Sequence, residues 1–64
     1  MAKYEIEVEL VGTDGNVFSL IGKVSKAIRR EIGIDESKVF SSEAMNKGSY
    51  DEVLNFIMET VEVQ

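Results

Sequence analysis

The chain has 64 residues, a formal net charge of −5, and neither Cys nor His. A chain of this length forms one small hydrophobic core, so we expect a single domain over residues 1–64. The missing Cys and His exclude disulfides, thiolate or imidazole zinc sites, and the usual nucleophile–base pairs of enzymes. We therefore predict no catalytic residues, no metal and no other cofactor.

The first predicted element is a strand over residues 3–11, where apolar and charged side chains alternate. A period of two residues is typical of a strand with one buried face. The side chains expected to face the core are Tyr4, Ile6, Val8 and Leu10. Lys3, Glu5, Glu7 and Glu9 would lie on the opposite, solvated face.

A turn-forming segment over residues 12–16 follows, and it ends at Asn16, a favourable N-cap residue. Apolar residues then recur at helical spacing, which predicts a helix over about 16–32, ended by Gly33. The alternative is a hairpin turn at Asp14-Gly15, with Val17–Ile21 as the returning strand. A phosphate-binding loop has less support, because the segment lacks the spacing and Lys of a Walker motif and Asp14 would repel phosphate.

Gly22 lies in the middle of this predicted helix, where Gly costs roughly 1 kcal/mol relative to Ala. Close approach of another backbone would offset that cost. We expect the neighbour to be another element of this chain, and a partner subunit is the alternative.

Two more helices and a strand complete the predicted domain. Asp35 is the expected N-cap of a helix over about 36–46, whose apolar stripe is Val39, Phe40 and Ala44. A capping box of Ser49 and Glu52 begins a third helix over about 50–59. Residues 61–63 alternate again and predict a short second strand.

The predicted fold class is therefore α+β, with the order β-α-α-α-β. The terminal strands would form a small two-stranded sheet, covered on one face by the helices. The long connection between the strands permits parallel or antiparallel pairing. The general excess of antiparallel pairs favours antiparallel pairing here.

Two charged surfaces are candidates for contact with a partner. The acidic candidate consists of Glu5, Glu7, Glu9 and Glu62. Alternate residues on a strand lie nearly 7 Å apart, since the rise is about 3.3 Å per residue, so one cation cannot bridge them without further ligands. The basic candidate, on the first predicted helix, consists of Lys23, Lys26, Arg29 and Arg30. These four also complement the dipole at the helix C-terminus, which requires no ligand.

Four segments together resemble a family of small hypothetical proteins of bacteria, prophages and phages. They are residues 11–18 (Val-Gly-Thr-Asp-Gly-Asn-Val-Phe), Glu43-Ala44-Met45, Tyr50-Asp51 and the terminal Val61-x-Val63. Members of that family often read Ser-Gly-Asp-Tyr-Asp where this chain has Lys47-Gly48-Ser49-Tyr50-Asp51. The resemblance implies no activity or site residues. It does imply a phage or mobile-element setting, in which small proteins often inhibit host machinery or defence systems.

We therefore predict a small, acidic, cytoplasmic protein-binding module that inhibits or modulates a host protein, such as a defence protein. The alternative is a nucleic-acid accessory protein that uses the basic candidate surface. No apolar run reaches the roughly 20 residues of a membrane span, and we expect no membrane partner.

We also predict a homodimer, because a two-stranded sheet of this kind is marginal on its own. The long strand over residues 3–11 would pair with its copy across a two-fold axis. Dimerisation through the helices, with Gly22 allowing close approach, is the second geometry.

Overall fold

The computed structural model describes residues 3–10 and 16–63, and its elements occur in the order β-α-α-α-β. They are β1 (Glu7–Val8), α1 (Val17–Glu31), α2 (Ile34–Met45), α3 (Tyr50–Thr60) and β2 (Glu62–Val63). The predicted α+β class and element order are confirmed. The hairpin alternative is wrong because Val17–Ile21 is helical, and the predicted turn residues 12–15 lie outside the described residues.

The two strands form a parallel sheet, so the expected antiparallel pairing is wrong. Glu7 lies opposite Glu62, and Val8 lies opposite Val63. The ladder is also much shorter than the strand predicted over residues 3–11, because β2 offers only two residues to pair with it.

Capping of α3 gives the physical reason for the parallel direction. The last carbonyl groups of a helix have no partner within the helix. The amide N–H groups of Lys3 and Tyr4 donate to two of them, Glu59 O at 2.8 Å and Thr60 O at 2.9 Å. The N-terminal segment thus begins beside the last turn of α3 and continues in the same direction as the chain that leaves it.

Side-chain caps begin two of the helices, as predicted. Asn16 Oδ1 accepts a hydrogen bond from the Phe18 amide at 2.8 Å at the start of α1. Ser49 Oγ accepts one from the Glu52 amide at 3.2 Å at the start of α3. Each cap satisfies one of the amide groups that a helix N-terminus leaves unpaired.

Gly33, rather than the predicted Asp35, is the N-cap of α2. Its φ of 152° is a backbone conformation that residues with a Cβ rarely adopt, so one Gly both ends α1 and begins α2. Asp35 instead lies in the first turn of α2, where the helix dipole favours a carboxylate.

The core lies between the sheet and the three helices. Ile28 and Ile57 are its largest fully buried side chains. From β1 and the segment before it, Ile6 and Val8 are buried while Tyr4 and Leu10 are partly buried, as the alternation predicts. The other buried apolar residues are Leu20, Ile21, Val24, Ala27, Phe40, Ala44, Val53 and Val61.

Some predicted core positions are wrong. Val39 is exposed on α2, and the buried residues of that helix are Ser37, Phe40 and Ala44. Val63, expected on the buried face of the sheet, is also exposed.

Candidate interaction surfaces

The acidic sheet face, defined as Glu5, Glu7, Glu9 and Glu62, consists of exposed side chains. The parallel register brings Glu62 beside Glu7, at the roughly 4.8 Å spacing of neighbouring strands. Ile6 and Val8 are buried beneath this face, so the backbone that carries the carboxylates is anchored in the core. Like charges placed directly opposite each other destabilise a sheet by about 0.2–1 kcal/mol per pair.

The four basic residues predicted as a contact surface are exposed on α1, but they do not form one uniform patch. Lys23, Lys26 and Arg30 line an open groove whose other wall carries Glu7 and Glu9. Carboxylates therefore lie in the same groove as the three cations. This arrangement reduces the positive potential that a phosphate backbone would meet.

The two arginines of this set differ in their surroundings. Arg30 Nε pairs with Glu31 Oε2 at 3.3 Å, with both side chains largely exposed. Arg29 lines a different groove, between α1 and α2. An exposed ion pair contributes little to stability, but it compensates part of the charge of Arg30.

The α1–α2 groove is a further candidate surface, with one apolar end and one basic end. At the apolar end, Phe18 is 63% exposed and Met45 is 56% exposed. An adjoining cleft shares both residues and extends to Tyr50. The full lining of the groove is Phe18, Ile21, Gly22, Ser25, Lys26, Arg29, Ser37, Ser41 and Met45. Aromatic residues, Met and Arg are the types enriched in protein interfaces.

A serine cluster, Ser25, Ser37 and Ser41, forms the floor of this groove and joins α1 to α2. The Oγ atoms of Ser25 and Ser37 are 2.6 Å apart, and the hydroxyl of Ser41 donates to Ser25 Oγ at 2.9 Å. Ser37 Oγ also donates to the backbone oxygen of Ser25 at 2.9 Å. The cluster satisfies the buried hydroxyl of Ser37 and sets the contact between the two helices.

Gly22 lies on the exposed side of α1 in the α1–α2 groove. A Cβ atom built at this position would have no neighbour within 4 Å. The expected close approach of another element of the chain is therefore wrong for the described residues. Contacts within the described part of the chain therefore do not offset the low helix propensity of Gly22, which costs roughly 1 kcal/mol.

Sequence reasoning missed both the α1–α2 groove and its serine cluster. The groove depends on Phe18 and Met45, which are 27 positions apart and meet only because α2 folds back along α1. The three serines likewise come from two helices, and no periodic pattern on either helix identifies them. The one available signal was the position of Phe18, Gly22 and Arg29 on a shared helical stripe.

A hydrogen bond from Tyr4 Oη to Glu36 Oε2, 2.6 Å long, joins the N-terminal segment to α2. This bond favours the neutral phenol and raises the pKa of Tyr4 above 10.0, with partial burial and the charge of Glu36 acting in the same direction. The cleft around it is small, about 40 Å³. The contact therefore holds structure together and leaves little space for a ligand.

Within residues 3–10 and 16–63, no three acidic side chains are grouped closely enough to hold a metal ion. None of the helices formed by these residues has the length and apolar character needed to cross a membrane. The charged groove and the α1–α2 groove are both open to solvent.

No family model, curated protein or solved structure matches this chain. The resemblance to small phage and prophage proteins therefore stays a prediction. The acidic sheet face and the α1–α2 groove are therefore the features of this chain that bear on its function.

Proposed function

We propose that this protein is a small acidic protein-binding module that docks its acidic sheet face on a basic surface of a host protein. The observation that supports this most is the register of the sheet, which places Glu62 beside Glu7. That register joins carboxylates from both ends of the chain into one exposed surface. Its backbone is tied to the core through Ile6 and Val8.

The chemistry of such a surface suits a protein partner with Lys or Arg at its contact site. Complementary charges accelerate association and exclude partners of the wrong sign. Glu62 adds its charge to those of Glu5 and Glu9 on this face, so the basic side chains of a partner would meet several carboxylates together.

The family resemblance supports a phage or mobile-element setting for this module. In that setting the partner is a host protein, such as a component of a defence system, which the module inhibits or modulates. The absence of Cys is consistent with the reducing cytoplasm, where we place the protein. We assign it no catalytic activity, because the chain offers no nucleophile–base pair and the grooves named above are open.

The test is a pull-down from bacterial lysate with the purified chain and two variants of equal charge. The sheet variant carries Glu5→Gln, Glu9→Gln and Glu62→Gln. The matched control carries the same change at three exposed acids that are not part of the acidic sheet face, Glu31, Glu43 and Glu59.

We expect the parent chain and the control to retain a stoichiometric protein partner that the sheet variant loses. Recovery of nucleic acid alone would contradict the proposal. Equal retention by the sheet variant and the control would show that another surface carries the binding.

A further inference from the structure

One stripe of α1 along the α1–α2 groove is chemically complementary to itself when it is read in the opposite direction. Its members Phe18, Gly22 and Arg29 are exposed, and Ser25 is half-buried. Phe18, Gly22, Ser25 and Arg29 follow one another at steps of four, three and four residues, so they share one side of the helix. All four line the α1–α2 groove. Antiparallel pairing of two such stripes sets Phe18 opposite Arg29, and Gly22 opposite Ser25.

From this pattern we propose that two copies of the chain form a homodimer in which their α1 helices pack antiparallel across the α1–α2 groove. A two-fold axis would pass between Gly22 and Ser25. This inference is independent of the acidic sheet face, which it leaves exposed in both copies. Either proposal can therefore fail without the other.

The apolar end of the groove in one copy is chemically complementary to the basic end of the groove in the other. Phe18 is 63% exposed, so the face of its ring is available to a cation. Arg29 is exposed and forms no hydrogen bond or ion pair with the described residues. A guanidinium group stacked on an aromatic ring is favourable, especially when water is excluded. The two-fold axis produces this contact twice, and Met45 extends the apolar surface on which it rests.

The centre of the stripe permits the helices to approach closely. Packed helices lie 8–10 Å apart, depending on the side chains at their contact. Gly22 has no side chain, and no atom of the described residues occupies the space that a Cβ would enter. A second copy of α1 would fill that space. Close packing of the two helices would then explain the glycine, which contacts within one copy do not explain.

A dimer of standard size would cover only a minor part of the surface of each copy. A standard interface takes about 800 Å² from each partner, which is just under a fifth of the 4317 Å² surface of this chain. The dimer through the strand edge stays the alternative prediction, and the nuclear Overhauser experiment below distinguishes the two geometries.

The primary test is the mass of the purified chain by sedimentation equilibrium from micromolar to millimolar concentration. We expect the mass to rise from 7.1 kDa toward twice that value with increasing concentration. A mass of 7.1 kDa at every concentration would overturn the proposal, and would leave the groove for a different protein.

Arg29→Glu and Arg30→Glu form a matched pair, since they change the net charge equally at adjacent positions. Only Arg29 lines the α1–α2 groove. We expect Arg29→Glu to raise the dimer dissociation constant about tenfold or more, and Arg30→Glu to change it about twofold at most. Equal weakening by both variants would mean that net charge, rather than this interface, controls association.

Gly22→Gln separates the stability of one copy from the affinity between copies. Gln has a higher helix propensity than Gly, and the open space around Gly22 accommodates it in a single copy. We expect a higher thermal unfolding midpoint for the monomer, together with a dimer dissociation constant at least about tenfold higher. A higher midpoint with unchanged association would contradict the proposed close approach.

An experiment on the unmodified chain keeps the test independent of variant folding. In a mixture of isotope-labelled and unlabelled chains, half-filtered nuclear Overhauser spectra detect only contacts between copies. We expect cross-peaks between the Phe18 ring and the Arg29 side chain. A dimer without these cross-peaks would refute the antiparallel pairing of α1.

Discussion

Tyr4 and Glu36 are 32 residues apart in sequence, yet the Tyr4 hydroxyl donates to the Glu36 carboxylate over 2.6 Å. The amide of the same Tyr4 donates to Thr60 O at the end of α3. One residue therefore connects the N-terminal segment to two helices. These connections place β1 where β2 can pair with it in the parallel direction.

Tyr4→Phe should lower the free energy of unfolding by about 1 kcal/mol at neutral pH, because it removes this hydrogen bond. In the folded protein the pKa of Tyr4 is raised above 10.0, so the neutral phenol contributes its full stabilisation below about pH 10. That contribution is lost as the pH rises through the folded pKa. The difference between wild type and Tyr4→Phe in urea unfolding should therefore shrink above pH 10.

Tyr50→Phe is the control for this experiment, and it should cost less at neutral pH because Tyr50 is 40% exposed. Phenolate absorbance measured in the Tyr50→Phe background reports Tyr4 alone, and the midpoint of its titration should lie above pH 10. A stability difference that stays constant across this range would contradict the role of the hydrogen bond.

Ser49→Ala should destabilise the chain by about 1 kcal/mol, since it leaves the Glu52 amide without its cap. Ser42→Ala is the matched control on an exposed position of α2, where Ala has the higher helix propensity. Urea unfolding followed by far-ultraviolet circular dichroism measures both variants. Similar effects of the two substitutions would show that the cap contributes nothing.

The serine cluster should show strong non-additivity. Ser37→Ala alone leaves the Ser25 hydroxyl and backbone oxygen without one partner each, and should cost roughly 1 kcal/mol or more. Replacement of Ser25, Ser37 and Ser41 together by Ala removes all three hydroxyls, so it should cost less than the sum of the single changes. Additive unfolding free energies would mean that the three hydroxyls act independently.

The helices were predictable because their determinants are local. Asn16 and Ser49 begin helices through bonds to amides two or three residues away, and Gly33 marks a helix end. The position of α2 was less predictable. Gly33 is its N-cap although it has no capping side chain, while Asp35 is a favourable capping residue that lies inside the helix.

The strand direction and the surfaces were not predictable, because they depend on contacts between distant residues. Parallel pairing follows from the amides of Lys3 and Tyr4 meeting α3, for which no periodic pattern exists. The acidic residues of the sheet could be identified from alternation alone. Their proximity to Lys23 and Arg30 in one groove could not, since it depends on how α1 packs on β1.

Nucleic acid should not bind this chain measurably, even at low salt. Lys23, Lys26 and Arg30 share their groove with carboxylates, and the whole chain carries a net charge of −5. A mobility-shift assay with duplex DNA and single-stranded RNA measures this directly. A shift that disappears steeply with added salt and requires Lys23 and Lys26 would instead favour the nucleic-acid accessory function.

Glu62→Gln should stabilise the free protein while weakening its proposed function. Removing one charge relieves the repulsion with Glu7 directly across the sheet, a gain of about 0.2–1 kcal/mol. Salt screens exposed charges, with a Debye length of about 10 Å at 0.1 M and 3 Å at 1 M, so the gain should fade in high salt.

Glu9→Gln is the control, because Glu9 lies beyond the paired residues of β1 and should change stability less. Urea unfolding at the two salt concentrations measures both variants, and a loss of stability in Glu62→Gln would show that Glu7 and Glu62 do not repel each other appreciably. If the acidic sheet face binds a basic partner, the same Glu62→Gln variant should bind that partner more weakly than wild type, because it removes one of the carboxylates that the partner's basic side chains would contact.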